Sequence, residues 1–84
     1  MLTAPQAKVL LQHNPEIIPI ILGRSTHFEV VIDGEPIAPQ RMTTPPQPRQ
    51  FKTLTAACSY LRTFLAYRGD VSIRLIDDPM TGTG

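Results

Sequence analysis

Nine prolines in 84 residues limit this chain's fold more than any other feature. That is about twice the usual share, and each proline removes a backbone donor and fixes one torsion. The densest run, Pro45, Pro46 and Pro48, lies inside "QRMTTPPQPRQFKTLTAACSYLR", residues 40 to 62. It favours an extended, polyproline-like loop that cannot donate to a strand ladder. The loop leads straight into a segment of helical periodicity that is apolar on almost every side. The sequence therefore reads as short elements punctuated by prolines, with one helix as its largest piece.

Thr3 is placed to cap a first helix, with Pro5 in its opening turn. Ala7, Leu10 and Leu11 form an i, i+3, i+4 stripe, and Asn14-Pro15 ends it. Asn14 then serves as cap for a second short helix, PEIIPIILG, kinked at Pro19 and stopped at Gly23. The competing reading of residues 17 to 22 is a buried strand. THFEVVID, residues 26 to 33, is a strand with Phe28, Val30 and Ile32 facing inward. Asp33-Gly34 is a turn signal, and a weaker strand follows near Ile37. Arg49-Gln50-Phe51 regains strand geometry at a sheet edge.

Thr53 caps the main helix, which the spacing extends to Arg68, with Gly69 as its stop. Leu54, Ala57, Cys58, Leu61 and Leu65 face the sheet. Tyr60, Phe64 and Tyr67 make a second stripe. VSIRLID is the last strand, Val71, Ile73 and Leu75 inward and Ser72 and Arg74 outward. Residues 78 to 84 read as a frayed tail. The expected architecture is α+β in a single domain spanning residues 1 to 84. A small, mainly antiparallel sheet packs on one long helix in the C-terminal half, with one or two short N-terminal helices.

A chain of this length buries roughly 60–65% of its unfolded surface, so its core is modest. Self-association would hide more of its apolar helix. The single Cys58 excludes an internal disulfide and a multi-cysteine zinc site, and fits a reducing cytoplasm. Neither a signal peptide nor a membrane span is legible. Cys58 sits mid-helix on the apolar side, away from anything that would lower its pKa. His13 and His27 have no converging partners in the pattern, and adjacent Asp77 and Asp78 point apart on a strand. No phosphate-cradling glycine loop exists. The expectation is a non-enzymatic protein without cofactor or metal.

Binding residues are easier to nominate. Net charge is only +1, yet Arg41, Arg49, Lys52, Arg62 and Arg68 fall in a zone from Pro36 to Gly69 that holds no acidic residue. Arg41, Arg49, Lys52, Arg62 and Arg74 are the candidates for gripping a nucleic-acid backbone or an acidic partner. Tyr60, Phe64 and Tyr67 are the candidates for a protein interface, either with another protein or with a second copy. Two outcomes stand open for them: closure by the N-terminal helices, or exposure to a partner.

From Asp33 to Asp77 the pattern resembles the plasmid-borne partition-accessory proteins of the ParC type. A strand ends in Asp33-Gly34, a basic residue precedes Phe51, "FKTLTAACSYLR" follows, and a short strand "VSIRLID" closes it. The chain departs from that pattern in its proline-rich loop and its first 32 residues. The resemblance implies a small accessory protein of a mobile genetic element that binds a protein or DNA, and it brings no catalytic residues. An inhibitor of host defence of the anti-CRISPR kind is an alternative from the same setting. It rests on small size and absent chemistry.

Overall fold

The computed structural model describes residues 1–39, 41 and 44–76. The expected frayed tail, 78 to 84, and part of the proline-rich loop lie outside the described residues. Among the described residues two helices and four strands follow in the order α1 (Ala4–His13), β1 (Ile20–Gly23), β2 (Phe28–Ile32), β3 (Glu35–Pro36), α2 (Leu54–Thr63) and β4 (Ser72–Leu75). The strands form one sheet in the order β3-β2-β1-β4.

The first helix starts as its sequence dictates. Thr3 Oγ1 accepts from the Gln6 backbone N–H, and Gln6 Oε1 accepts from the Thr3 N–H, a reciprocal capping box. Asn14 does not cap a second helix. It closes the first, donating from both its backbone and its side chain to the Leu10 carbonyl at 3.0 and 2.9 Å. The expected second helix is absent, and β1 takes its place. Four isoleucines and a proline within Ile17–Ile21 suit extended backbone better than helix. Pro19 sits just before the strand, where its missing N–H costs nothing. Its carbonyl is used instead, accepting from Ser72 N–H at 3.0 Å.

β1 and β2 form a hairpin, Ile21 opposite Val30 and Gly23 opposite Phe28. Arg24 N–H donates to the His27 carbonyl at 2.8 Å, leaving Ser25-Thr26 as the turn. Asp33 and Gly34 sit at φ 53° and 79°. Both central residues are therefore left-handed, the geometry that carries a twisted strand into its neighbour and that Asp-Gly supplies at low cost. β3 is short, and the chain then runs to the proline loop and back. Phe51 exchanges two backbone bonds with Phe28, at 2.7 and 2.8 Å, so the expected edge pairing of residues 49 to 51 is present as a single bridge.

The sheet is mixed rather than mainly antiparallel. β4 lies parallel to β1, Ile21 beside Ile73 and Gly23 beside Leu75. β3 runs the same way as β4, and joining two parallel strands needs a crossover. α2 is that crossover. It leaves the β3 edge, packs over β2 and β1, and delivers the chain to the far edge.

α2 is also shorter than its periodicity suggests. Thr53 caps it, Oγ1 accepting from Ala56 N–H at 3.0 Å. It ends at Thr63 instead of running to Arg68, and Ala66, not Gly69, takes the left-handed stop at φ 52°. Tyr67 N–H folds back to the Leu61 carbonyl at 2.9 Å. The early stop drops Leu65 into the core and turns the chain toward β4. Ile21, Val30, Ile32, Ile37, Leu61 and Leu65 are all essentially sealed, and Ala7 and Leu11 of α1 join the same core.

Candidate functional site

The two edges of the sheet are finished differently. At the β3 edge, Leu2 N–H donates to the Pro36 carbonyl at 2.8 Å and Ala38 N–H to the Leu2 carbonyl at 2.7 Å. That edge is covered, and Pro36 adds a residue that cannot pair further. At the other edge, every residue of β4 is exposed. Ser72 N–H bonds Pro19 and Ile76 N–H bonds the Gly23 carbonyl. Even-numbered amides therefore point to β1, and alternation turns the N–H and C=O groups of Val71, Ile73 and Leu75 outward. Among the described residues nothing pairs with them.

The side chains compound this. Ile73 and Leu75 share a face with Ile21 and Gly23, the face that α2 covers over β1 and β2. Because α2 stops short of β4, Ile73 is 51% exposed and Leu75 76% exposed. The sequence expectation that both point into the core is corrected. Their direction follows the alternation, but among the described residues no helix lies over them. Leu75 leans on Gly23, where a Cβ would come within 2.7 Å of its Cδ2. Next to this strip a hollow of about 240 Å³ opens between α2 and the start of β4, lined by Cys58, Leu61, Arg62, Tyr67, Asp70 and Val71.

The expected aromatic stripe is split. Tyr60 is buried, Tyr67 is half-buried with its hydroxyl donating to the Asp70 carbonyl at 2.7 Å, and Phe64 is exposed. Tyr60 stacks on Phe64 and tilts against Phe51, both at 5.2 Å between centroids. Arg49 lies over this cluster, its guanidinium 4.9 Å from the Tyr60 ring and 5.4 Å from Phe51. Burial pushes the Tyr60 phenol above its ordinary pKa, and the Arg49 charge pulls partly the other way.

The basic candidates are scattered. Arg49 is half-buried on the aromatics at one flank of α2, while Arg62 lines the hollow at the opposite flank. Arg74 stands on the other face of the sheet, beside Leu22. Arg41 and Lys52 are exposed. No common patch gathers Arg49, Arg62 and Arg74.

One polar cluster was not singled out by the sequence. Glu29 is buried on that second face, and its Oε2 meets His27 Nε2 at 2.7 Å and Arg24 Nε at 3.0 Å. Thr26 Oγ1 lies 3.0 Å from His27 Nδ1. A proton on Nε2 serves both contacts, donating to the carboxylate while Nδ1 accepts from the hydroxyl. The signal was available, since His27 and Glu29 are two apart on one strand and Arg24 is across a tight turn. The cluster locks the β1–β2 hairpin.

A groove of about 550 Å³ runs along α1, lined by Leu2, Pro5, Val9, Leu10 and His13 among others. Among the described residues no group of His, Cys, Asp and Glu gathers to hold a metal ion, and no helix is long and apolar enough to cross a membrane. Among the described residues, fold and surface define a small α+β chain with one closed and one open sheet edge. No family model, curated protein or solved structure matches it.

Proposed function

We propose that this chain is a non-enzymatic protein-binding module whose docking surface is the free edge of β4 with Ile73 and Leu75. One observation carries the reading: an unpaired strand edge coincides with two large apolar side chains held outside the core. An extended segment added to such an edge gains main-chain hydrogen bonds, and alternate side chains settle on the apolar strip. The neighbouring hollow, with Arg62 and Asp70 at its rim, supplies polar contacts that fix orientation. An accessory role on a mobile genetic element fits such a module and rests on the resemblance to partition-accessory proteins.

The test compares capture of cellular protein by the wild-type chain and by Ile73→Lys and Leu75→Lys variants of native circular dichroism. Captured protein should be lost from both variants and kept by Val9→Lys, which alters the α1 groove instead. Folded β4 variants that capture the same protein as wild type would overturn the reading.

A further inference from the structure

The geometry points to a second copy of this chain as an occupant of the open edge, β4 against β4 about a two-fold axis, forming one continuous eight-stranded sheet. This rests on the docking surface proposed above and names what fills it. In a two-fold antiparallel pair the same short segment meets itself, so the residue numbers facing each other have a constant sum. Val71, Ile73 and Leu75 carry the outward N–H and C=O groups, so odd residues must meet odd residues to exchange bonds. That leaves three central registers.

Charge separates them. With Ile73 opposite Leu75 of the other copy, Arg74 faces Arg74, which repels. With Ile73 opposite Ile73, Arg74 faces Ser72 and gains nothing ionic. With Val71 opposite Ile73, Ser72 sits on the axis and Asp70 faces Arg74 twice. Asp70 and Arg74 are both exposed, and neither makes an ion pair among the described residues. They fall at non-hydrogen-bonded positions, where facing side chains come closest. The same register sets Ile73 against Val71 on the helix side, twice, so the apolar strip of one copy continues into the half-buried start of β4 in the other. The two Val71–Ile73 pairs exchange the backbone bonds that Val71 and Ile73 lack at the lone edge. Charge selects this register, and its two Val71–Ile73 pairs add main-chain bonds and apolar cover, while Leu75 stands opposite Gly69 of the other copy, outside the paired strands.

Sedimentation of the full chain tests this in four forms: wild type, Asp70→Arg, Arg74→Asp, and the double exchange. Wild type should dimerise reversibly. Each single reversal turns two attractive pairs into two repulsive ones and should weaken the dimer about ten-fold or more. The double exchange should restore it. A wild-type chain that stays monomeric at millimolar concentration overturns the inference, as does a dimer indifferent to the single reversals or unrescued by the double exchange. The broader reading falls separately. If the chain is monomeric yet Leu75→Lys loses a captured protein, the docking surface stands and only the second copy fails. If folded Ile73→Lys dimerises and captures like wild type, both fail.

Discussion

A lysine in place of Leu75 should leave the fold almost untouched. Leu75 is 76% exposed, so only about a quarter of its side chain is withdrawn from water. Full burial of a leucine is worth about 1.5–3 kcal/mol, which puts the covered part at roughly 0.4–0.7 kcal/mol. The lysine stem recovers some of that by lying on the same surface. A domain of this size shifts its melting temperature by roughly 4–8 °C per kcal/mol, so Leu75→Lys should lower it by about 2–6 °C. Leu61 is the contrast. It is 1% exposed on the buried side of α2, and Leu61→Ala should cost roughly 2–5 kcal/mol, comparable to the total stability of a small domain. Thermal unfolding followed by circular dichroism reads both, at a concentration low enough to exclude association. A Leu75→Lys loss of about 2 kcal/mol or more would refute the reasoning. It would mean that Leu75 is covered within its own subunit and that the strip is not free.

Other perturbations test the packing around that surface. Ala66 holds φ 52° in an exposed position. Left-handed alanine costs roughly 1–2 kcal/mol and glycine returns part of that as unfolded-state entropy, so Ala66→Gly should stabilise by about 0.5–1 kcal/mol in urea unfolding. A loss instead would show that α2 does not end there. Arg49→Ala removes a guanidinium from two aromatic faces and should cost about 1–2 kcal/mol, with lysine recovering part. Unchanged stability would free Arg49 for a binding role. Burial raises the Tyr60 phenol, so the unfolded chain gives up that proton first as pH rises. Stability is full below the ordinary tyrosine range and falls as pH climbs from there through the raised folded value. Comparing urea midpoints at about pH 8 and about pH 11, Tyr60→Phe should show a smaller alkaline loss than wild type. An equal loss would place Tyr60 in water.

Local chemistry was legible where a few residues decide it. Thr3 and Thr53 cap as their spacing demands, and Asp33-Gly34 makes its turn unaided. Alternation gave the facing of Phe28, Val30 and Ile32 and even the direction of Ile73 and Leu75. The run Ile17–Leu22 reads as helix, with strand as the competing reading, because a short apolar run has no period that separates the two. Its strand geometry is stabilised by a neighbour on each side, β2 and β4, and these come later in the chain. The periodicity of α2 runs on through Phe64 and Tyr67, but the crossover has to reach the far edge of the sheet. Ala66 breaks the helix, although nothing in alanine itself marks a stop. The open strip follows from that break. Whether Ile73 and Leu75 are inside or outside depends on how far a helix ten residues long reaches, which no pattern local to β4 records. Buried Glu29 escaped notice for a similar reason, since its shelter is built by Arg24 across a turn.

Amide hydrogen exchange along β4, resolved by residue in a dilute monomeric sample, measures the open edge itself. The Arg74 amide, directed at β1, should be protected, while those of Ile73 and Leu75 exchange at the rate of exposed loop amides, and that of Ile73 slows only as the chain is concentrated. Equal protection of all three in the monomer would contradict the account, because the edge on which the docking surface depends would already be closed.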